Sequence, residues 1–172
     1  MKILLTGATG FIGAAILRRL SREGLSIRVL VRETSDRTHL KNVDTEIYVG
    51  DLRDKTSLQN AVKDCDALIH TAADYRLWTS DPQGMIASNI TGTSNILSAA
   101  GEAGVSNIVY TSSVAALGKS EGGSPVTEST PSAIEDKIGL YKRSKFLAER
   151  EVLNIHQAQG LPIKIVNPSA PI

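Results

Sequence analysis

The sequence is poor in aromatic residues, cysteine and net charge, and it has no long hydrophobic run. Only 4% of its 172 residues are aromatic, and 19 Lys+Arg nearly balance 18 Asp+Glu. Such a chain offers neither the positive field nor the stacking surfaces typical of nucleic-acid binding. Cys65 is the single cysteine, which excludes an intramolecular disulfide and fits a reducing compartment. No apolar run is long enough for a membrane span or a signal peptide, so we expect a cytoplasmic protein.

What the sequence does contain is a regular alternation of β-rich runs and helical patterns, in a length that suits one domain. The predicted strands cover 2–6, 26–31, 46–50, 67–72, 107–113 and 163–167, and the predicted helices cover about 11–23, 55–63, 83–103 and 139–158. This alternation predicts an α/β fold with a doubly wound parallel sheet and helices on both faces. The first, fourth, fifth and sixth strands are apolar at their centres, so we expect them to be covered on both faces.

One connection is unusually long. It covers about 117–136 and is rich in Gly, Ser, Thr and Pro. Loops of this length in a compact domain are usually either functional or mobile, and the sequence leaves both alternatives open.

The stretch TGATGFIG, residues 6–13, follows the first predicted strand and opens the first predicted helix. Gly7, Gly10 and Gly13 allow the backbone to turn sharply, to approach a pyrophosphate, and to pack the helix against the strand. The anion would lie at the helix N-terminus, where N–H groups and the helix dipole favour negative charge. The alternative is a glycine-rich turn without a ligand, but the strand-turn-helix setting favours a dinucleotide site.

Arg32 and Glu33 follow the second predicted strand, where a dinucleotide-binding domain contacts the adenosine ribose. A guanidinium suits the 2′-phosphate of NADP because it binds phosphate oxygens as a fork, whereas an acidic residue would hold the 2′-hydroxyl of NAD. Arg32 could instead be a solvated charge, and Glu33 could still take the hydroxyl. We therefore predict NADP as the preferred cofactor and NAD as the alternative.

The stretch YKRSK places Tyr141 and Lys145 four positions apart in a predicted helix, so both lie on one face. A phenol is a poor base at neutral pH, but a nearby ammonium ion favours the phenolate. A phenol tuned in this way can exchange a proton with an alcohol or a ketone. TSS, residues 111–113, adds serine hydroxyls at the end of the fifth strand, where open α/β sheets bind ligands. The alternative interpretation of YKRSK is a basic surface patch.

These motifs resemble the extended short-chain dehydrogenase/reductase family, which includes the NAD-dependent epimerases/dehydratases. The resemblance covers essentially the whole chain and rests on TGATGFIG (6–13), GDL (50–52), HTAA (70–73), YTSS (110–113), Tyr141-x-x-x-Lys145 and NPSAPI (167–172). AADYRLW (72–78) and the SAPI ending are most similar to hopanoid-associated sugar epimerases and dihydroflavonol-4-reductase-like proteins. The resemblance implies one Rossmann-type NAD(P)-binding domain over 1–172, without the family's C-terminal substrate lobe. The chain would then be a fragment of a longer enzyme or a natural short form.

The resemblance also implies roles for individual residues. Catalysis is implied for Ser113, Tyr141 and Lys145, with Ser112 on the other side of its strand because side chains alternate. Cofactor contacts are implied for Gly7, Thr9, Gly10, Phe11, Ile12, Gly13, Arg32, Asp51, Leu52, Ala72, Ala73, Tyr141, Lys145 and Pro168. Asp54 is expected to cap a helix and His70 to be a packed strand-end residue. No metal site is predicted.

The implied function is that of an oxidoreductase or epimerase acting on a sugar nucleotide or a related alcohol or ketone by hydride transfer. Tyr141 would be the acid/base, and Tyr75, Arg76 and Trp78 would either line a substrate pocket or anchor a partly buried loop. The alternative is a dinucleotide-binding sensor or scaffold without turnover, against which the intact Ser-Tyr-Lys set argues. The expected partner is a small molecule and not a nucleic acid. A homodimer through the helices near 83–103 and 139–158 is also implied, because the first of them carries more apolar surface than one sheet face would cover.

Overall fold

The computed structural model describes residues 1–120 and 122–169. In order along the chain, the elements are β1 (Lys2–Thr6), α1 (Phe11–Arg22), β2 (Ser26–Val31), β3 (Glu46–Val49), α2 (Lys55–Val62), β4 (Ala67–His70), α3 (Pro82–Ile86), α4 (Gly92–Glu102), β5 (Asn107–Thr111), α5 (Leu140–Gln159) and β6 (Ile163–Val166). A π-helical turn, Ala87–Thr91, joins α3 directly to α4. Short 3₁₀ turns lie at Thr38–Leu40, Val114–Ala116 and Ile134–Asp136.

The strands form one parallel sheet in the order β3-β2-β1-β4-β5-β6, which confirms the predicted fold class. The direction of the strand order reverses at β1 and β4, and such a switch point is where doubly wound sheets bind ligands. Thr6, His70 and Tyr110 lie side by side in register at the ends of β1, β4 and β5. We call the side of the sheet where the strands end the carboxyl edge, and the opposite side the amino edge.

Two apolar cores flank the sheet. One lies between the sheet and the helices α2, α4 and α5, and the other lies between the sheet and α1. Coverage on both faces is therefore confirmed for the interior strands β1 and β4. In β5, Ile108 and Tyr110 belong to the first core, whereas no residue of the strand belongs to the second and Val109 is only half-buried. Coverage on both faces is wrong for β6, because this strand is at the edge of the sheet and every second residue of it is exposed.

The apolar side chains of α4 are used inside the chain. Ile96, Leu97 and Ala100 are fully buried, where α4 packs against α2, α5 and the sheet. The expectation that this helix has surplus apolar surface is therefore wrong. Within the described part of the chain, Leu147 is the one large apolar side chain of α4 and α5 that is exposed.

The helix α2 is fixed at both of its ends. Asp54 caps its N-terminus and accepts hydrogen bonds from the amides of Thr56 (3.0 Å) and Ser57 (3.3 Å), which confirms the predicted cap. At the C-terminus, toward the amino edge, Arg28 of β2 donates to the carbonyl oxygens of Ala61 (2.8 Å) and Lys63 (2.7 Å). Unpaired carbonyls at a helix end are thereby satisfied by a side chain.

The described residues are also free of two kinds of feature. None of their helices combines the length and apolar character needed to cross a bilayer. No three of their His, Cys, Asp or Glu side chains are grouped so that they could hold a metal ion together.

Candidate active site

The glycine loop between β1 and α1 packs against the segment that follows β4. Gly7 has a φ of +78°, and a Cβ there would lie 2.5 Å from Thr71 Oγ1 and 2.7 Å from the amide nitrogen of Ala72. A Cβ on Gly13 would lie 2.0 Å from the carbonyl oxygen of Gly7. Gly10 is the N-cap of α1, and no described side chain caps this helix, so its first N–H groups can take an anion. These features fit a dinucleotide pyrophosphate.

The adenosine end of the predicted site is rich in charge. Hydrogen bonds from Arg53 hold the pKa of Asp51 below its ordinary value, and the charge of Arg32 adds to the effect. Arg76 and Arg32 lower the pKa of Asp74 in the same way. The Arg32 guanidinium therefore lies near carboxylates in the segments that follow both β3 and β4. The side chain of Leu52, the other predicted contact here, is buried.

The segment after β4 is tied to the end of β1. Thr71 Oγ1 donates to the carbonyl oxygen of Thr6 (2.6 Å), and the amide of Ala72 donates to Thr6 Oγ1 (3.2 Å). Ala72 and Ala73 are half-buried beside the glycine loop, as a close approach by a cofactor requires. The strand itself ends at His70 and not at position 72, because the chain leaves the sheet here to form this rim.

Tyr75 and Trp78 lie on the loop that follows. They are 74% and 81% exposed, so the alternative of a partly buried loop anchor is wrong. Arg76 between them pairs with Asp74 through Nε and Oδ1 at 2.9 Å. A role in substrate binding stays a prediction.

The two serines after β5 have different surroundings. Ser113 is half-buried, and its Oγ accepts the amide N–H of Ala115 at 3.1 Å. Ser112 is buried, and its Oγ has no hydrogen-bond partner among the described residues. The carbonyl oxygen of Pro168 accepts the amide N–H of Val114 at 3.2 Å, so the predicted nicotinamide contact lies beside Ser113. Ser113 is thus the serine that a substrate could reach.

Lys145 is a buried cation at the carboxyl edge. The residue is only 3% exposed. Its Nζ donates to the carbonyl oxygen of Thr111 (2.9 Å) and to Tyr110 Oη (3.3 Å). Burial lowers its pKa to about 8, although the charge of Glu149 opposes this shift. No described carboxylate forms an ion pair with it. Tyr141, one turn earlier on α5, is half-buried. The pKa of Tyr110 is raised mainly by burial, then by the charge of Glu149, and Tyr141 lies near enough to add to this effect.

The π-helical turn is the part of the site that the sequence did not predict. Asn89 Oδ1 accepts the amide of Asp74 (2.6 Å), and Asn89 Nδ2 donates to the carbonyl oxygen of Asp74 (2.8 Å) and to Ser144 Oγ (3.0 Å). Ser144 Oγ in turn donates to the carbonyl oxygen of Tyr141 at 2.8 Å. The turn therefore joins the loop after β4 to the helix of Tyr141. A signal was present, because Asn and Thr are poor helix formers in the middle of a long predicted helix.

One family model and several curated proteins match the sequence over almost its whole length. Residues 3–172 match the model of the NAD dependent epimerase/dehydratase family. A protein of Synechocystis sp. named "Putative dihydroflavonol 4-reductase" is 46% identical over 167 residues, which are 97% of this chain and 48% of that protein. The sterol demethylase protein B of Methylococcus capsulatus is 36% identical over 170 residues, which are 99% of this chain and 51% of that protein.

Solved structures agree with the sequences. The crystal structure of gox2253 has a TM-score of 0.94 and 48% identity, covering 100% of this chain and 52% of that one. UDP-glucose 4-epimerase of Thermus thermophilus, in complex with NAD, has a TM-score of 0.85 and 28% identity, and the match covers 97% of this chain and 54% of that one. The chain thus spans about half the length of the proteins it matches. The motif resemblance is confirmed, and the chain belongs to the NAD dependent epimerase/dehydratase family.

Proposed function

We propose that this chain binds NADP and carries the proton-transfer residues of an oxidoreductase or epimerase that acts on an alcohol or ketone, such as a sugar nucleotide. The observation that carries the proposal is Lys145, a buried cation without a described ion-pair partner, on the same helix face as Tyr141. Buried charges are costly unless they are paired, so an unpaired one at the carboxyl edge indicates a functional role.

The three side chains have different tasks in this proposal. Tyr141 Oη exchanges a proton with the reacting oxygen of the substrate, and Ser113 Oγ donates a hydrogen bond to that oxygen. The ammonium of Lys145 stabilises negative charge on the phenol and would hold the ribose hydroxyls next to the nicotinamide. A bound nicotinamide supplies or accepts the hydride. An intact set of these three groups favours turnover over a sensor or scaffold that only binds.

The preference for NADP rests on Arg32. Its charge lowers the pKa of the carboxyl groups of Asp51 and Asp74, on both sides of the adenosine end. Arg53 and Arg76 are already paired with Asp51 and Asp74. Arg32 makes no ion pair with any described carboxylate, so its guanidinium is available for a 2′-phosphate. The Thermus epimerase binds NAD, which makes NAD the alternative.

A homodimer through the helices near 83–103 and 139–158 also belongs to the proposal. It rests on the family resemblance and not on surplus apolar surface, since most of α4 is buried within the chain. Light scattering at micromolar concentration is the measurement, and a monomer would count against a dimer of this chain.

The test of the main proposal is a calorimetric titration of the 172-residue chain with NADP and with NAD at one fixed salt concentration. We expect NADP to bind more tightly, by about one to two decades. If neither dinucleotide binds, the proposal is wrong. If NAD binds as tightly as NADP, the binding function stands and the NADP preference falls.

A further inference from the structure

A chain of buried hydrogen bonds runs beneath the candidate site, from β1 through β4 to the π-helical turn. Thr6 Oγ1 and His70 Nδ1 are 2.6 Å apart, and His70 Nε2 and Thr93 Oγ1 are 3.0 Å apart. Thr93 Oγ1 donates to the carbonyl oxygen of Asn89 at 2.7 Å. His70 is fully buried, and so are both threonines to within one percent. Four buried polar groups in series destabilise a core unless each of them has its hydrogen-bond partners.

The geometry leaves one direction for each bond. A carbonyl oxygen only accepts, so the single hydroxyl proton of Thr93 is directed to Asn89, and Thr93 Oγ1 must accept from His70. His70 is therefore protonated on Nε2, and its bare Nδ1 accepts the hydroxyl proton of Thr6. Thr6 Oγ1 is then left to accept the amide N–H of Ala72. The imidazole is neutral in one tautomer, in agreement with its pKa, which burial and the charge of Lys145 lower to about 3.

The two ends of this series of hydrogen bonds reach the two halves of the candidate site. One end is the amide of Ala72, against which Gly7 of the glycine loop packs. The other end is Asn89, which holds the helix of Tyr141 through Ser144. The ring of Tyr110, whose hydroxyl accepts from Lys145, lies beside the imidazole with ring centroids 5.7 Å apart. His70 is thus the covalently rigid link between the pyrophosphate side and the proton-transfer side.

We propose that His70 is a positioning residue: as the Nε2–H tautomer it fixes the distance between the Ala72 segment and the π-helical turn. It thereby aligns the pyrophosphate and nicotinamide part of a bound dinucleotide with Tyr141 and Lys145. The inference rests on the proposed dinucleotide binding. The network makes no hydrogen bond to Arg32 or Asp51, and it reaches the adenosine end only through the backbone of Asp74, which Asn89 holds. We therefore expect it to affect the adenosine end much less than the nicotinamide end. A histidine that merely filled the core would affect stability but would not discriminate between parts of the ligand.

The first test is the tautomer, measured on the 172-residue chain by long-range ¹H–¹⁵N correlation NMR. We expect an unprotonated Nδ1 and a protonated Nε2 for His70, unchanged between pH 8 and pH 5. Besides Lys145 of α5 and Tyr110 of β5, the groups that face the ring are the hydroxyls of Thr6 and Thr93. A proton on Nδ1, or a ring that becomes charged within this range, would overturn the assignment.

The second test separates positioning from packing. Thr93→Val removes the acceptor of His70 with little change in shape, whereas Thr93→Ser keeps the hydroxyl and is the matched control. We expect Thr93→Val to weaken NADP binding about tenfold, by analogy with the loss of one well-placed hydrogen bond, while Thr93→Ser stays near wild type. Adenosine 2′,5′-bisphosphate, which lacks the nicotinamide half, should bind all three proteins within about twofold.

The outcomes are distinguishable. If Thr93→Val weakens the binding of NADP and of adenosine 2′,5′-bisphosphate equally, or weakens the binding of neither, the positioning role is wrong. If the wild-type chain binds neither ligand, the proposed function fails, and the tautomer measurement still judges the network by itself. Circular dichroism shows whether each variant is folded, and the wild-type NMR measurement does not depend on any variant.

Discussion

Arg28 and Lys145 are both buried cations, one toward the amino edge of the sheet and one at the carboxyl edge. Arg28 donates to two backbone carbonyls and pairs with Glu46 through Nε and Oε1 at 2.9 Å. Lys145 donates to one carbonyl and one phenol, and no described carboxylate pairs with it. The planar guanidinium suits several fixed acceptors, whereas an ammonium is more readily shifted in pKa by burial. The amino edge is therefore built for stability, and the carboxyl edge keeps a charge that a ligand can use.

The largest expected effect concerns turnover at the carboxyl edge. Tyr141→Phe keeps the ring but has no ionisable proton, so we expect kcat to fall by about 10²–10⁴-fold, whether turnover is measured on this chain or on a longer product of its gene. The free energy of unfolding and NADP affinity should stay close to wild type. Wild-type kcat in the variant would show that Tyr141 is not the acid/base.

The largest effect on stability is expected at the amino edge. Arg28→Met leaves the carbonyls of Ala61 and Lys63 without their donor, while Glu46 keeps Lys2 as its partner, and it should cost about 2–4 kcal/mol of the free energy of unfolding. Denaturant titration measures the loss. The loss should be the same at pH 7 and pH 10, because a guanidinium does not lose its proton in this range. A variant as stable as wild type would remove the structural half of the comparison.

The effect of Lys145→Met on the free energy of unfolding, unlike that of Arg28→Met, should depend on pH. Lys145 has a pKa of about 8 in the folded chain against 10.5 in an unstructured one, so between these pH values the unfolded chain holds more protons and stability rises with pH. Below pH 8 both states are charged, and the cost of burying the charge is fully present. At pH 7 the variant should therefore be more stable relative to wild type than at pH 10, by up to about 3 kcal/mol. A difference that does not change with pH would contradict the unpaired state of Lys145.

A smaller effect is expected for cofactor selection. Arg32→Ala should weaken NADP binding by about 1.5–3 kcal/mol, which is one to two decades, and leave NAD binding unchanged. The matched control is Arg18→Ala, which removes the same charge from the exposed surface of α1. Calorimetry with both cofactors makes the measurement. Equal weakening of NADP and NAD would indicate a general effect of charge and not a 2′-phosphate contact.

The smallest effect is expected at the other end of α2. Asp54→Ala removes the N-cap and should cost about 1 kcal/mol, clearly less than Arg28→Met at the C-terminus of the same helix. Asp54→Asn, which keeps an acceptor oxygen, is the control and should recover most of the loss. If the two ends of α2 proved equally sensitive, burial would not be what distinguishes them.

Local patterns predicted most of the fold. All six strands and the helical stretches follow from apolar periodicity, and the cap at Asp54 follows from residue type alone. Arg28 could not be predicted in this way, because in SIRVLV it resembles an exposed strand charge, and its partners lie 18, 33 and 35 positions away. The predicted packing of His70 at a strand end is confirmed, but its bond to Thr6, 64 positions away, could not be predicted. The predicted contrast between Ser112 and Ser113 is confirmed, although β5 ends at Thr111 and both serines follow it, because that contrast depends only on neighbouring residues in extended backbone.

The π-helical turn has a consequence for how this chain can change in length. Such a turn holds an extra residue compared with an α-helix. Deleting one residue from Ala87–Thr91 would let α3 and α4 join as a regular helix with nearly unchanged direction, and it would remove the bulge that presents Asn89. Asn89 and Thr93 would then no longer both reach their partners. During evolution, single-residue insertions and deletions should therefore be rejected here and tolerated in the long loop at 117–136, even where substitutions accumulate in both.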